Sequence, residues 1–490
     1  MTSISSLFSL VHSLTKPEKR YFRLSVSLQS GEKEYVKLFD LLELHHTFDS
    51  ALKKDIALQF PGTSVEPARK HLYRVLMKSL RNFQMEKQVE VRLMNLLQDS
   101  TILFNKGLVD ESFQQLHKAQ STALKYEKFT FFILAAQSEI KHLIQLQFIG
   151  VDENTLIKKQ EEINKLQGQL STIHQHASLY ELLLIRFWKS GTVRSLREST
   201  QLNDLLLEEH MILNSQQFQS FESQQLHLQF QSVYFLMTGD PEGSLKVSYD
   251  LDKLFQQNVH LWADTPLYYV HFLNGILHNL RRMQYYEEMT FFLQRLNATA
   301  EISGSFALSI EYQVLEHELH RAVNQGQHGQ AVALVQQWSA SLDKEIDQLP
   351  IHIHAQLCLT VARVWYSSGA YSTALKYINR ALNQPSNSLN RLLYVSCRLM
   401  NLLIHLALDN TDYLHYEIRS SERKLKAEHS WYKVEQLVFN HVKQWLRNRS
   451  VGVMPEQLLP LLEDPFEKQL ILELGLQEWV LSLRPVKSPA

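Results

Sequence analysis

Cysteine is almost missing from this chain of 490 residues. The two present, Cys358 and Cys397, exclude a disulfide framework and a cysteine-rich zinc site as organising principles. Both sit in apolar stretches with helical spacing and read as core residues. Proline (12) and glycine (15) are scarce for the length, so turns are few and regular elements long, which favours helices. No apolar run approaches the ~18 residues of a membrane-crossing helix. The N-terminal stretch MTSISSLFSLVHSLTKPEKR carries its positive charges after its short apolar run, the reverse of a secretory signal. The expectation is a soluble, cytoplasmic protein without a membrane partner. Surplus charge is missing as well: a formal net charge of -1 gives no overall field toward nucleic acid or membrane. A hydrophobic content of 44% with balanced charge is that of a globular chain.

Signatures of catalysis are also lacking. There is no Gly-x-Gly-x-x-Gly after a strand, no phosphate-binding loop and no Gly-x-Ser-x-Gly elbow, and strand signals are scarce. His317 and His320 fall at i, i+3, whereas the zinc-protease motif needs i, i+4, a glutamate between and a third ligand. His352, His354 and Cys358 make a second loose cluster. With 22 histidines in a helical chain such pairs are expected, so the sequence predicts no metal, no cofactor and no enzyme activity.

What is present is a repeated turn signal. Val364 to Leu382, VWYSSGAYSTALKYINRAL, reads as a helix, a turn at Gly369 and a second helix from Tyr371. Stepping by about 43 residues finds Gly107, Gly150, Gly191, Gly239, Gln284, Gly326, Gly369, Thr411 and Gly452, at intervals of 41 to 48. Small or apolar residues follow at fixed offsets. Ser112, Leu116 and Ala119 follow Gly107; Ser244, Ser248 and Leu251 follow Gly239; Met289, Leu293 and Leu296 follow Gln284; Ala331 and Val335 follow Gly326; Ala374 and Ala381 follow Gly369. Between turns, apolar stripes such as Val270-Leu273-Leu277-Leu280 predict two helices of roughly 15–20 residues. Gly150 and Gly191 keep the turn and lose most of the downstream pattern. A helix pair with one apolar stripe per helix buries it only by stacking on its neighbours.

Residues 1–105 form a distinct N-terminal helical domain, with helices expected at about 3–13, 16–29, 33–46, 50–60 and over 65–105. Thr15 fits an N-cap and Pro61-Gly62 a helix end. Two helix faces are basic: Lys16, Lys19, Arg20 and Arg23 on one, Lys70, Arg74, Lys78 and Arg81 on the other. A phosphate-contacting surface is one reading. A solvated face neutralised by acids such as Glu18, Glu34 and Asp40 is the other.

Residues 107–430 resemble the tetratricopeptide repeat superfamily, through Gly369, Tyr371, Ala374 and Ala381 and the weaker units at Gly239, Gln284 and Gly326. The stretches Leu14-Thr15-Lys16-Pro17-Glu18-Lys19-Arg20-Tyr21-Phe22 and Lys78-Ser79-Leu80-Arg81-Asn82-Phe83 resemble a family of long repeat proteins of this kind, mostly from Bacteroidota. The resemblance implies an all-α fold. Residues 106–483 would be a right-handed α-solenoid of tetratricopeptide-like hairpins, with Phe466 to Leu483 as a capping helix and 484–490 as a frayed tail. It also implies a concave groove that binds a peptide or helix of another protein. The groove positions fall on His271, Asn274, His278 and Arg281, then Gln313, Glu316 and His320, then Gln356, Arg363 and Tyr366, then Arg398, Asn401 and His405. The earlier units place Leu226, Val233, Ile140 and Ile144 there, so their groove is either apolar or out of phase. The expected function is a scaffold or adaptor. The alternative is a nucleic-acid-binding regulator acting through the basic helices. An accessory subunit or a self-assembling protein is a third class, and oligomeric state is not readable.

Overall fold

Sparse glycine and proline, with apolar residues at helical spacing, produce an all-α chain, with no strand among the described residues. The computed structural model describes residues 3–27, 33–61, 65–84, 88–200, 202–213, 220–264, 266–302, 306–385, 388–427, 431–448, 457–464, 466–474 and 476. The chain divides into two compact units, 1–167 and 168–490.

In the first unit, α1 (Ile4–Ser13), α2 (Lys16–Ser27), α3 (Glu34–Leu44), α4 (Ser50–Gln59) and α5 (Val65–Gln84) share one core. Leu7, Leu38, Phe39, Leu42, Leu52, Leu72 and Leu76 are fully buried in it, with Phe22 nearly so. The start of α2 is a capping box: the Thr15 amide and hydroxyl both donate to Glu18 Oε2 at 2.8 Å, and the Glu18 amide donates back to Thr15 Oγ1. The stretch 65–105, expected as one helix or a broken one, is two helices, α5 and α6 (Val89–Asn105). The latter packs along α7 (Val109–Lys125), which packs on α8 (Phe129–Gln145). The division between units falls inside α9 (Glu153–Ser190).

The second unit continues with α10 (Leu196–Thr200), α11 (Asn203–Leu213), α12 (Phe221–Thr238), α13 (Pro241–Gln257) and α14 (Val259–Trp262). Then come α15 (Leu267–Met283), α16 (Tyr286–Ile302), α17 (Ala307–Asn324), α18 (His328–Glu345), α19 (Ile351–Ser367) and α20 (Tyr371–Leu382). Last are α21 (Arg391–Ala407), α22 (Thr411–Ala427), α23 (Lys433–Asn448) and α24 (Lys468–Leu474). From α15 to α23 consecutive helices pack on one another, as do α12 and α13, and α15, α17, α19 and α21 also pack on one another in that order.

The turns explain the glycine ladder. After α19, Gly369 sits at φ 81°, its amide donates to Tyr366 O at 3.0 Å and the Ala370 amide to Trp365 O at 2.9 Å. This is the Schellman closure, which needs a left-handed residue and so favours glycine. Gly107, Gly239 and Gly326 are likewise left-handed, and Gln284 adopts φ 59° in the same closure without being a glycine. The expected rung at Thr411 is displaced. Asp409, at φ 57°, is the left-handed residue there, and Thr411 is the first residue of α22. Counted from Asp409 the register is restored. The fifth residue after each of these turns, Ser112, Ser244, Met289, Ala331, Ala374 or Leu414, is fully buried. Ser112 Oγ donates to Ser100 O at 2.9 Å and Ser244 Oγ to Ser232 O at 2.8 Å, so these hydroxyls are satisfied at the crossing.

Two intervals depart from the expected pair of helices. Between Gly150 and Gly191 runs the single 38-residue helix α9. It contains no proline, and its one glycine, Gly168, is not left-handed, so nothing stops it. Among the described residues between Gly191 and Gly239 lie three helices, of which α10 has 5 residues and α11 has 11. The Gly452 rung, residues 477–483 of the expected capping helix and the tail 484–490 lie outside the described residues.

Candidate functional site

The polar residues that interrupt the apolar stretches of α15, α17 and α19 form a connected seam. On α15, Arg281 Nη1 donates to Glu316 Oε1 on α17 at 3.0 Å, and both are buried. Four residues on, His320 Nε2 meets the same oxygen at 2.9 Å. Arg363 Nη1 on α19 donates to His320 Nδ1 at 3.2 Å, and Thr360 Oγ1 lies 3.0 Å from His320 Nε2. With Nδ1 accepting from an arginine, His320 is the neutral Nε2–H tautomer. Burial works against the Glu316 carboxylate, but His320 and Arg281 outweigh it and hold its pKa well below the usual range. Burial, helped by Arg281, lowers His320 and carries His278 well below the ordinary histidine value.

Above this, Asn274 Nδ2 donates to Gln313 Oε1 and, at 3.1 Å, to Val270 O. Its Oδ1 therefore faces His317 Nε2, 3.1 Å away. The His278 and His317 rings meet edge to face, centroids 5.0 Å apart.

The expected groove set therefore has a different character from a wet lining. Arg281, Glu316, His320, Arg363, Asn401 and His405 are buried. Asn274, His278 and Gln313 are half-buried in the same seam. In α21 the phase differs again: Arg398 bonds Glu417 at 2.9 Å, Asn401 bonds Tyr413 at 2.9 Å, and His405 stacks on Tyr413. These three turn toward α22. Tyr366 packs on Tyr371 across the turn, centroids 5.3 Å apart, and Gln356 is half-buried. The physical reason is close packing: adjacent inner helices approach until their polar side chains bond to each other.

His271 alone of the set is exposed, on the same side of α15 as Tyr268, which is 60% exposed. His352 on α19 is exposed too, its ring 6.0 Å from that of the exposed Trp188 on α9. Burial lowers the pKa of both histidines, and His271 adds to the effect on His352. Sequence reasoning missed Tyr268 and Trp188, because nothing in the residue order brings α9 beside α19. It also grouped His352 with His354 and Cys358: the buried His354 does lie 3.9 Å from Cys358 Sγ and bonds Asp347 at 3.2 Å, while His352 stands apart and faces Trp188.

On the first unit, the α2 basic face is half neutralised: Lys19 pairs with Glu43 at 3.1 Å, and Arg23 with Asp40 at 2.8 Å and Glu43 at 2.6 Å. Lys16 and Arg20 stay exposed. Lys70, Arg74, Lys78 and Arg81 on α5 are all exposed, opposite the buried Leu72 and Leu76. Lys70 pairs with Glu66 at 3.5 Å and Arg74 bonds His71, while Lys78 and Arg81 make no ion pair among the described residues.

Comparison with family models, with curated proteins and with solved structures finds no match.

Proposed function

We propose that the second unit is an array of tetratricopeptide-like hairpins of the α-solenoid kind, and that it serves as a non-enzymatic scaffold holding a segment of another protein. The observation that carries this reading is a set of exposed rings, Tyr268 and His271 on α15 and His352 on α19 beside Trp188 on α9, which we read as one wall. Aromatic and imidazole side chains, exposed on rigid helices and crowded on one side, suit a chain segment that brings apolar contact and a few hydrogen bonds. Arg281, Glu316, His320 and Arg363 would act beneath it, fixing the spacing of the helices that present the wall. The test is affinity purification of the tagged full chain beside His271→Asp/His352→Asp and Trp188→Ala variants. A partner recovered with the wild type and lost from both folded variants supports the reading. An identical partner profile for all three would remove it.

A second reading rests on α5. Four exposed cations along one face of a 20-residue helix match the spacing of a phosphate-contacting surface, and nucleic acid is the partner such a face would take.

A further inference from the structure

The His278, Glu316 and His317 side chains each place one potential ligand atom within 4.8 Å of the other two. Two imidazoles and one carboxylate are a donor set used by zinc and by other divalent transition metals at sites that keep open positions. Proximity alone is a weak argument in a histidine-rich chain. The hydrogen bonds around the cluster supply an independent one.

His317 is fully buried, and its Nδ1 has no hydrogen-bond partner. The tautomer follows from its other nitrogen. Asn274 spends its Nδ2 hydrogens on Gln313 Oε1 and Val270 O, so the atom facing His317 Nε2 is an acceptor. Nε2 must then carry the proton, and Nδ1 presents a bare lone pair inside the protein. A buried lone pair without a donor is destabilising. A metal-ligating histidine has this arrangement: one nitrogen donates to a neighbouring oxygen and the other faces the ion. Glu316 is prepared in the same way. Both its hydrogen bonds, from Arg281 and His320, fall on Oε1, which leaves Oε2 open to a further ligand. His278 is the half-buried member, with the ring edge-to-face on His317, and it connects the cluster to solvent.

We propose that His278, Glu316 and His317 bind a single divalent transition-metal ion of the zinc class, with Asn274 as the residue that orients His317. The ion joins α15 to α17 and satisfies the His317 lone pair. A zinc ion with bonds of about 2.0–2.1 Å brings its donors closer together than the limit seen here, so the half-buried His278 ring moves inward on binding. The positive charge of Arg281 opposes the ion and keeps its affinity below that of a dedicated structural site. This inference does not rest on the scaffold reading.

The experiment is titration of the chelator-treated full chain with Zn²⁺ against a competing chromophore, for wild type, His278→Ala, Glu316→Gln, Asn274→Ala and, as a control, His352→Ala. Wild type and His352→Ala are expected to bind one equivalent more than His278→Ala and Glu316→Gln. Asn274→Ala should weaken that site roughly 10- to 100-fold. Circular dichroism checks that each variant is folded. Should the substitutions unfold the chain, a wild-type measurement remains: Zn²⁺ should protect His278 from acylation by diethyl pyrocarbonate, read by mass spectrometry. Equal stoichiometry and affinity in wild type and folded His278→Ala, or an unprotected His278, overturns the site.

Discussion

Arg194 and Glu435 lie 241 residues apart in the chain and meet as a bidentate pair, Nη1 to Oε1 and Nη2 to Oε2, each at 3.0 Å. Both are buried, and Glu467 shares the same guanidinium. Arg194 also lies over the Tyr432 ring, 4.4 Å from its centroid, and Tyr432 donates to Glu198 Oε1 at 2.7 Å. Burial raises the pKa of Glu435 against the pull of Arg194. The segment between α9 and α10 is thereby tied to α23 and to the residue before α24.

Breaking this tie should unfold rather than loosen. Removing one member leaves its partner charged and buried, at a cost of about 3–5 kcal/mol. Arg194→Ala and Glu435→Ala are each expected to lower the chemical-denaturation midpoint accordingly. Arg194→Lys should recover little, since an ammonium cannot span both oxygens. A midpoint for Arg194→Ala within error of wild type would show the pair to be dispensable.

The two kinds of turn give a signed prediction. Gln284 occupies a left-handed conformation that costs a residue with a Cβ roughly 1 kcal/mol, so Gln284→Gly is expected to raise the melting temperature. Gly369→Ala, at φ 81° with open space around the added methyl, should lower it by a similar amount through backbone strain alone. Shifts of the same sign in both variants would contradict this account of the turns.

Part of the acid sensitivity is expected to come from His176. It is 1% exposed in α9, and burial, with the nearby His227 adding, lowers its pKa to about 4. The unfolded chain takes up this proton near pH 6.5 and the folded protein resists it, so the neutral form stabilises the fold fully above about 6.5. That contribution is lost as pH falls toward 4, on the order of 3 kcal/mol over the window. His176→Leu should flatten the dependence of the melting temperature on pH between those limits. Parallel curves for the two proteins would assign the acid sensitivity elsewhere.

For the α5 face, a short duplex or single strand at low salt should bind with an affinity that falls steeply as salt rises. The triple variant Arg74→Glu/Lys78→Glu/Arg81→Glu should abolish the mobility shift without changing the helical spectrum, since all three are exposed. No shift for wild type at low salt would leave this face as solvated surface.

Much of the local architecture was legible in the residue order. The head helices fall within a few residues of expectation, because caps such as Thr15 with Glu18 and stops such as Pro61 act on adjacent residues. The glycine rungs are left-handed turns because that conformation is a property of one residue and its neighbours. The exceptions have the same logic. Asp409 stands where the spacing suggested Thr411, since aspartate also tolerates the left-handed region. The long α9 replaces a hairpin where the Gly150 unit had already lost its downstream pattern.

The candidate site was legible only as a set of polar residues on inner helices. Arg281, Glu316, His320 and Arg363 each read as a groove position, because a helical wheel says which face a residue occupies and not what stands opposite. Tertiary packing decided that they bond to one another across about 40 residues of sequence. It decided as well that His317 pairs with His278 and not with His320, and that Arg194 finds Glu435. Helices, turns and apolar stripes follow from short-range sterics and periodicity, which the sequence carries by itself. The polar partners follow from how closely the helices approach, and only the folded chain determines that distance.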